Sequence, residues 1–155
     1  MDFKQRISPF LWFDTQAEEA ARFYTSIFDN SRILHVAPGP DGRAMSVTFQ
    51  LEGQKYMALN GGPMFQFTEA ISFFVDCEGQ AEVDDLWDKL CADGGAPAPC
   101  GWLKDKFGLS WQIIPRQLGE LMGDPDPQKA QRVMQAMLQM RKIDVAALQA
   151  AYDAA

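Results

Sequence analysis

Histidine and cysteine, two of the commonest metal ligands, are scarce in this chain of 155 residues. The only histidine is His35, and a lone histidine in a strand segment is more typical of a strand residue than of a catalytic base. The three cysteines, Cys77, Cys91 and Cys100, are odd in number and lack the spacing of a zinc site. We interpret them as reduced thiols, which predicts a cytoplasmic protein.

Basic residues and long apolar segments are also few. The chain has 14 Lys and Arg residues against 21 Asp and Glu residues, a net charge of −7, which argues against nucleic acid as a partner. No stretch approaches the ~20 apolar residues of a membrane span, and the start, MDFKQRISPF, lacks the apolar run of a secretory signal. We therefore expect no membrane partner.

Sequence motifs of several large enzyme classes are missing. The chain has no GxSxG, no P-loop and no CxxC, so it offers no serine or cysteine nucleophile in a known setting and no phosphate-binding loop.

What the sequence does contain is a hydrophobic fraction of 47%, arranged in strand and helix periods. Strands are predicted over 7–13, 32–37, 44–51, 55–60 and 71–77, with two more between 101 and 115. Helices are predicted after Thr15, whose spacing to Glu18 fits a capping box, over 80–92, and after Asp126 and Asp144, two candidate N-caps. These elements predict an α+β fold.

A short internal sequence similarity relates the two halves of the chain. FLWFDTQAEEAARFY and FFVDCEGQAEVDDLW each contain an apolar strand, a short turn, Gln-Ala-Glu and an amphipathic helix. Aligning the two Gln-Ala-Glu segments places Phe23 on Trp87. This internal similarity predicts two related modules.

Four segments carry a resemblance to a known family. ISPFLWFD, MALNGGP, FTEAISFFVDC and GWLKDKFGLSWQIIP, at 7–14, 57–63, 67–77 and 101–115, resemble the PhnB-like family of the vicinal-oxygen-chelate superfamily. That superfamily includes glyoxalase I, extradiol dioxygenases and bleomycin-resistance proteins. The tail at 133–152 also looks like this subgroup, whose members often carry the label demethylubiquinone methyltransferase.

The resemblance implies one glyoxalase/bleomycin-resistance-like domain over 1–155. It would consist of two βαβββ modules, at about 1–63 and 64–116, whose curved mixed sheets form a cup, and a C-terminal helical segment at about 117–155. The second module needs one more strand than the pattern shows, and we expect a weak one within 96–103 or just after Cys91. The family further implies a homodimer.

The resemblance also implies positions for a metal, and this chain fills them poorly. They fall at about Ile7, at Glu69 or Ala70, and at Gln112, so only Glu69 offers an anionic ligand. We expect no metal and no other cofactor. The methyltransferase label is equally doubtful, because the first strand–helix junction, FDTQAEE, has no glycine.

Two functional hypotheses and one alternative of another class remain. The first is a metal-free protein that binds a small molecule of unknown identity in the cup. The second is a glyoxalase-, dioxygenase- or methyltransferase-like enzyme in which catalytic Glu69 acts as acid or base, or as an unusual metal ligand. The third is an interaction module that uses the Met-rich helix at 126–140. Predicted ligand-binding residues are Trp12, Asn60, Phe67, Trp102, Lys104, Trp111 and Gln112.

Overall fold

Two units with the same order of elements make up the structure, a computed structural model that describes residues 4–154. The first unit ends at Phe67 and the second begins at Thr68. The first contains β1 (Phe10–Phe13), α1 (Ala17–Ile27), β2 (Arg32–Pro38), β3 (Ala44–Leu51) and β4 (Gln54–Asn60). The second contains β5 (Ser72–Cys77), α2 (Gln80–Cys91), β6 (Ala96–Pro97), β7 (Trp102–Lys104) and β8 (Ser110–Pro115), followed by α3 (Arg116–Met122), α4 (Pro127–Leu138) and α5 (Val145–Asp153).

Each unit builds one four-stranded mixed sheet that does not close on itself. The strand orders are β1-β4-β3-β2 and β5-β8-β7-β6, so the first strand of each unit pairs with the last, and both of these pairs are parallel. The other pairs are antiparallel. The α+β class, the two βαβββ modules and the C-terminal helices are confirmed, and β6 is the predicted weak strand.

Helix α1 covers one face of the first sheet. It buries Ala17, Ala20, Ala21 and Tyr24 against a sheet face that includes Leu11, Val47, Phe49 and Ala58. The helix begins differently from the prediction, because Gln16 rather than Thr15 is the N-cap and no side chain of the cap bonds the helix. The free N–H of Ala17 instead donates to Asn60 Oδ1 at 2.8 Å. The predicted capping box is therefore wrong, and a strand residue supplies the missing acceptor.

The first strand is shorter than predicted. Regular pairing begins at Phe10, and Ile7 lies outside the strand with 89% of its surface exposed. Pro9 has no N–H to donate, although its carbonyl accepts from Met57 N. The regular pairing of β1 with β4 therefore starts immediately after Pro9. The first three residues and Ala155, which belong to the predicted domain, lie outside the described residues.

In the second unit the two faces of the sheet are covered differently. Helix α2 packs its buried residues Val83, Leu86, Trp87 and Leu90 on one face, which includes Leu103, Trp111 and Ile113. The opposite face meets the C-terminal helices at Ile114, which joins a core of Leu118, Val133, Ile143 and Leu148. The C-terminal segment therefore covers one end of this face.

The close fit of the C-terminal segment depends on Gly101. Its φ is +82°, and a Cβ there would lie 2.7 Å from Ile114 Cδ1 and 3.0 Å from an Ile143 carbon. The backbone N–H groups of Cys100 and Gly101 donate to Met140 and Arg141. The predicted caps of the last two helices are confirmed, since Asp126 accepts from Gln128 N and Asp144 from Ala147 N. Within the described residues no helix has the length and apolar character that crossing a bilayer requires.

Candidate functional site

Polar and aromatic side chains meet on the face of the second sheet that turns away from α2, which we call the outer face. Because side chains alternate along a strand and paired residues share a face, the strand register defines it. Two adjacent rows cross the sheet from β5 through β8 to β7. The first row is Ser72, Ser110 and Lys104, and the second is Phe74, Gln112 and Trp102.

Gln112 lies in the middle of the second row and bonds within the sheet. Its Nε2 donates to Ser72 Oγ at 2.9 Å, which connects the two rows. Phe74, with 59% of its surface exposed, and the half-buried Trp102 flank it. The structure therefore brings together three predicted site residues, Gln112, Trp102 and Lys104, and adds Ser72 and Ser110. Pairing the two predicted strands in parallel would have revealed the role of Ser72.

Glu69 lies in the turn before β5 and reaches the end of the first row. Its carboxylate forms an ion pair with Lys104 Nζ, and the two side chains are 61% and 44% exposed. The hydrogen bond from Lys104 holds the pKa of Glu69 below its ordinary value. Glu69 is therefore a charged, exposed acceptor at ordinary pH, and it does not have the raised pKa expected of a buried general base.

Ser110, between Ser72 and Lys104, is almost fully buried, with 1% of its surface exposed. Its Oγ has no hydrogen-bond partner among the residues that the structure describes. Buried hydroxyl groups are normally paired, because leaving one unpaired costs about 1–3 kcal/mol. On the two rows of the outer face this atom is the one buried side-chain polar atom that lacks a hydrogen-bond partner within the described part of the chain.

A shallow groove continues the outer face toward the C-terminal helices. It has a volume of about 380 Å³ and is lined by Phe74, Asp76, Ile114, Pro115, Arg116, Gly119 and Glu120. Its two carboxylates lie at the opposite end of the face from Lys104. The guanidinium of Arg116 lies in the same groove and is paired with Glu78.

Trp111 lies on the other face, in the core. Only 2% of its surface is exposed, and its Nε1 donates to Asp105 Oδ2 at 2.9 Å. Asp105 is itself buried and also accepts from the N–H groups of Phe107 and Leu109. Lys104 therefore pairs with Glu69, while Asp105 organises the β7–β8 turn.

The remaining predicted residues lie in the first unit. Asn60 is on the face covered by α1, where its amide donates to Ala44 O as well as accepting from Ala17 N. Trp12 is on the opposite face, donates to Gly62 O at 2.9 Å and packs edge-on against Phe65. Phe67 packs edge-on against Phe13. Their roles as ligand contacts stay predictions.

The residues present do not fit the metal that the fold family implies. Within the described part of the chain no three His, Cys, Asp or Glu side chains converge in a way that could hold an ion. Glu69 is bonded to Lys104, Gln112 donates to Ser72, and Ile7 has no donor atom. His35 is an exposed residue of β2. This set has one carboxylate that is already neutralised, which is a poor match for a divalent transition metal.

Comparisons with known proteins agree with this architecture. The family model described as 3-demethylubiquinone-9 3-methyltransferase matches residues 5–114. A PhnB protein from Bacillus cereus, described as a putative 3-demethylubiquinone-9 3-methyltransferase, is 36% identical, with a TM-score of 0.67 over 72% of this chain and 99% of its own. No curated protein matches the sequence.

More distant structures share the fold alone. Protein PA1353 from Pseudomonas aeruginosa is 18% identical, with a TM-score of 0.60 over 72% of this chain and 98% of its own. The fosfomycin resistance protein FosX from Listeria monocytogenes is 15% identical, with a TM-score of 0.51 over 73% of this chain and 93% of its own. With a family model that matches more than two thirds of its length and a 36% identical PhnB relative, the chain belongs to the PhnB-like family, whose family model is described as 3-demethylubiquinone-9 3-methyltransferase.

Proposed function

We propose that this protein binds a small organic molecule on the outer face of the second sheet and does so without a metal ion. One observation carries the proposal: Gln112, at the position where the resemblance expects a metal-ligating carboxylate, is an amide that donates to Ser72. An amide and hydroxyl groups recognise neutral or charged polar groups of a ligand by hydrogen bonds. The flanking Phe74 and Trp102 supply apolar contact area.

The enzymatic alternative with Glu69 as acid or base has less support. A general base works best when its pKa lies near the working pH, which for a carboxyl group requires an upward shift. The ion pair with Lys104 shifts the pKa of Glu69 in the opposite direction. A methyltransferase activity is also poorly supported, since the junction between β1 and α1 has no glycine for a nucleotide-like cofactor.

The wider assignment follows the family. We propose a single glyoxalase/bleomycin-resistance-like domain that forms a homodimer in the cytoplasm. The three free thiols support a reducing compartment. The exposed apolar side chains of Phe10 and Ile71 support a second copy as the partner, because such groups are common at homodimer contacts. A partner for α4 is the alternative: Val133 is buried in the chain's own core and Met137 packs against that core, whereas Met134 and Leu138 are exposed.

Fragment binding followed by NMR tests the proposal. A set of neutral and charged aromatic fragments is titrated into ¹⁵N-labelled protein, and the indole N–H signal of Trp102 and the side-chain amide signal of Gln112 are monitored. We expect at least one fragment to shift both signals and to lose about tenfold in affinity in Gln112→Leu, because the variant removes hydrogen bonds of about 1 kcal/mol or more. Thr48→Val, on the first sheet, is the control and should bind as the wild type does.

Native mass spectrometry gives an independent readout. It reports both a co-purified small molecule and the mass of the dimer. A full fragment set that leaves the Trp102 and Gln112 signals unmoved would contradict binding at this face.

A further inference from the structure

The first row of the outer face presents three hydrogen-bond donors, and one carboxylate reaches this row from outside the sheet. Lys104 contributes its ammonium group, and Ser110 contributes a buried hydroxyl that has no partner among residues 4–154. Ser72 contributes a hydroxyl that accepts from Gln112 and keeps its proton for donation. Glu69 lies opposite them, in the turn before β5. Donors of this kind in one row are complementary to an anion.

Glu69 accepts from only one of these donors. It neutralises Lys104, but neither it nor any other described residue bonds the Ser110 hydroxyl. Its side chain is 61% exposed and belongs to a turn, so exchanging it for another carboxylate costs little, because exposed ion pairs contribute about 0–1 kcal/mol. A ligand carboxylate that also accepts the hydrogen bond of the buried Ser110 hydroxyl makes one bond more than Glu69 does, and this bond favours the exchange.

The rest of the face restricts what can accompany the anionic group. Phe74 and Trp102 are the two ends of the adjacent row, and their apolar surface suits a flat apolar or aromatic group. Asp76, Glu120 and Arg116 line the groove at the far end, and because Arg116 is already paired with Glu78, the two groove carboxylates disfavour a second negative charge there. The charges therefore orient a ligand with its anionic end at Lys104.

We propose that the ligand of this site is a small aromatic or flat apolar carboxylate, whose anionic group replaces Glu69 on Lys104 and accepts the hydrogen bond of Ser110. This inference rests on the proposed function and names its ligand class. Glu69 is then a competing internal carboxylate rather than a ligand contact. Its removal should strengthen binding.

Titration with benzoate and with its neutral isostere benzamide tests the inference in the wild type and in four variants. In wild type we expect benzoate to shift the Trp102 indole and Gln112 amide signals at concentrations at which benzamide does not. Lys104→Met should weaken benzoate binding at least about tenfold, and Ser110→Ala about fivefold. Glu69→Gln should tighten benzoate binding about two- to fivefold, because the internal competitor is gone.

The control is Lys89→Met, which removes a lysine from another exposed ion pair, with Asp85, and should leave the affinity unchanged. Weaker benzoate binding in Glu69→Gln, or benzamide binding as tight as that of benzoate, would overturn the inference. If neutral fragments move the Trp102 and Gln112 signals while benzoate does not, binding at the face stands and the carboxylate class falls. If no fragment moves them, both fall.

Discussion

The indole of Trp111 donates a hydrogen bond to the buried carboxylate of Asp105, with 2.9 Å between Nε1 and Oδ2. The other oxygen of the same carboxylate accepts from Phe107 N and Leu109 N. One side chain therefore satisfies three donors and fixes the turn that joins β7 to β8. That hairpin carries Lys104 and Gln112 on its outer face.

Asp105→Asn should destabilise the protein by about 2 kcal/mol, because the amide can still accept from the turn but presents a donor to the Trp111 indole. Urea unfolding measures the change. Asp41→Asn is the matched control: Asp41 also accepts from the N–H two residues later, but it is exposed, so the cost should be below about 0.5 kcal/mol. Equal effects of the two substitutions would argue against the buried bond to Trp111.

Gly61→Ala should destabilise the first unit by about 1–3 kcal/mol and displace Trp12. A Cβ at Gly61 would lie 2.4 Å from Trp12 Cζ2, so the indole must leave its bond to Gly62 O. The indole N–H signal of Trp12 reports the displacement. Gly119→Ala is the control and should stabilise α3 by about 0.5–1 kcal/mol, since nothing lies near its added Cβ and glycine is a poor helix former. An unmoved Trp12 signal in Gly61→Ala would contradict the packing.

Cys77 should make stability fall at alkaline pH. Burial raises the pKa of its thiol to about 12 in the folded state, whereas the unfolded chain has a value of about 8.5. Below the lower value the thiol is protonated in both states and contributes fully. As the pH rises toward the higher value the unfolded state loses its proton first, so the free energy of unfolding decreases.

Urea unfolding of wild type and Cys77→Ala at about pH 8 and about pH 10.5 isolates this effect from other titrating groups. The stability difference between the two proteins should shrink at the higher pH, because only wild type has the thiol. A difference that does not change with pH would show that the thiol ionises as easily in the folded state as in the unfolded one.

Tyr152→Phe should loosen the last helix. The Tyr152 hydroxyl donates to Asp124 Oδ2 at 2.5 Å, and this bond raises the pKa of Tyr152 and lowers that of Asp124. Because both groups are partly solvated, we expect a local effect, seen as faster hydrogen exchange of the α5 amides. Gln149→Ala, on the same helix, should leave these rates within about twofold. Identical hydrogen-exchange rates in Tyr152→Phe and wild type would show that the Tyr152–Asp124 hydrogen bond does not stabilise α5.

Added Mn²⁺, Ni²⁺ or Zn²⁺ should move the melting temperature by no more than about one degree. Stabilisation by a ligand follows its concentration relative to its Kd, and a donor set of one paired carboxylate and one amide binds weakly. Thermal unfolding at increasing metal concentration measures the shift. A large saturable shift that disappears in Gln112→Leu would contradict the metal-free site.

The sequence predicted the modules because their signals are local. The repeated Gln-Ala-Glu at the start of each helix and the caps at Asp126 and Asp144 act within one element, so the pattern of residues is sufficient. The two-residue strand β6 could be expected only from the module scheme, since it is too short to show a period of its own.

The site was less predictable because it depends on contacts between distant residues. Lys104 and Glu69 are separated by most of the second module, and only the sheet register brings them together. Asn60 also depends on distant contacts, because its partners at Ala17 and Ala44 belong to other elements. Trp111 was assigned to a pocket by residue type, although the strand alternation placed it with Leu109 and Ile113, both buried.

Gln80 illustrates what a repeated module permits. Its amide donates to Ile143 O at 3.0 Å and accepts from Val145 N at 2.7 Å, so it fastens the start of α5 to α2. The corresponding glutamine of the first module, Gln16, precedes α1 and forms no side-chain cap. The equivalent position is therefore a helix N-cap in one module, whereas in the other module it attaches a further helical segment through two hydrogen bonds.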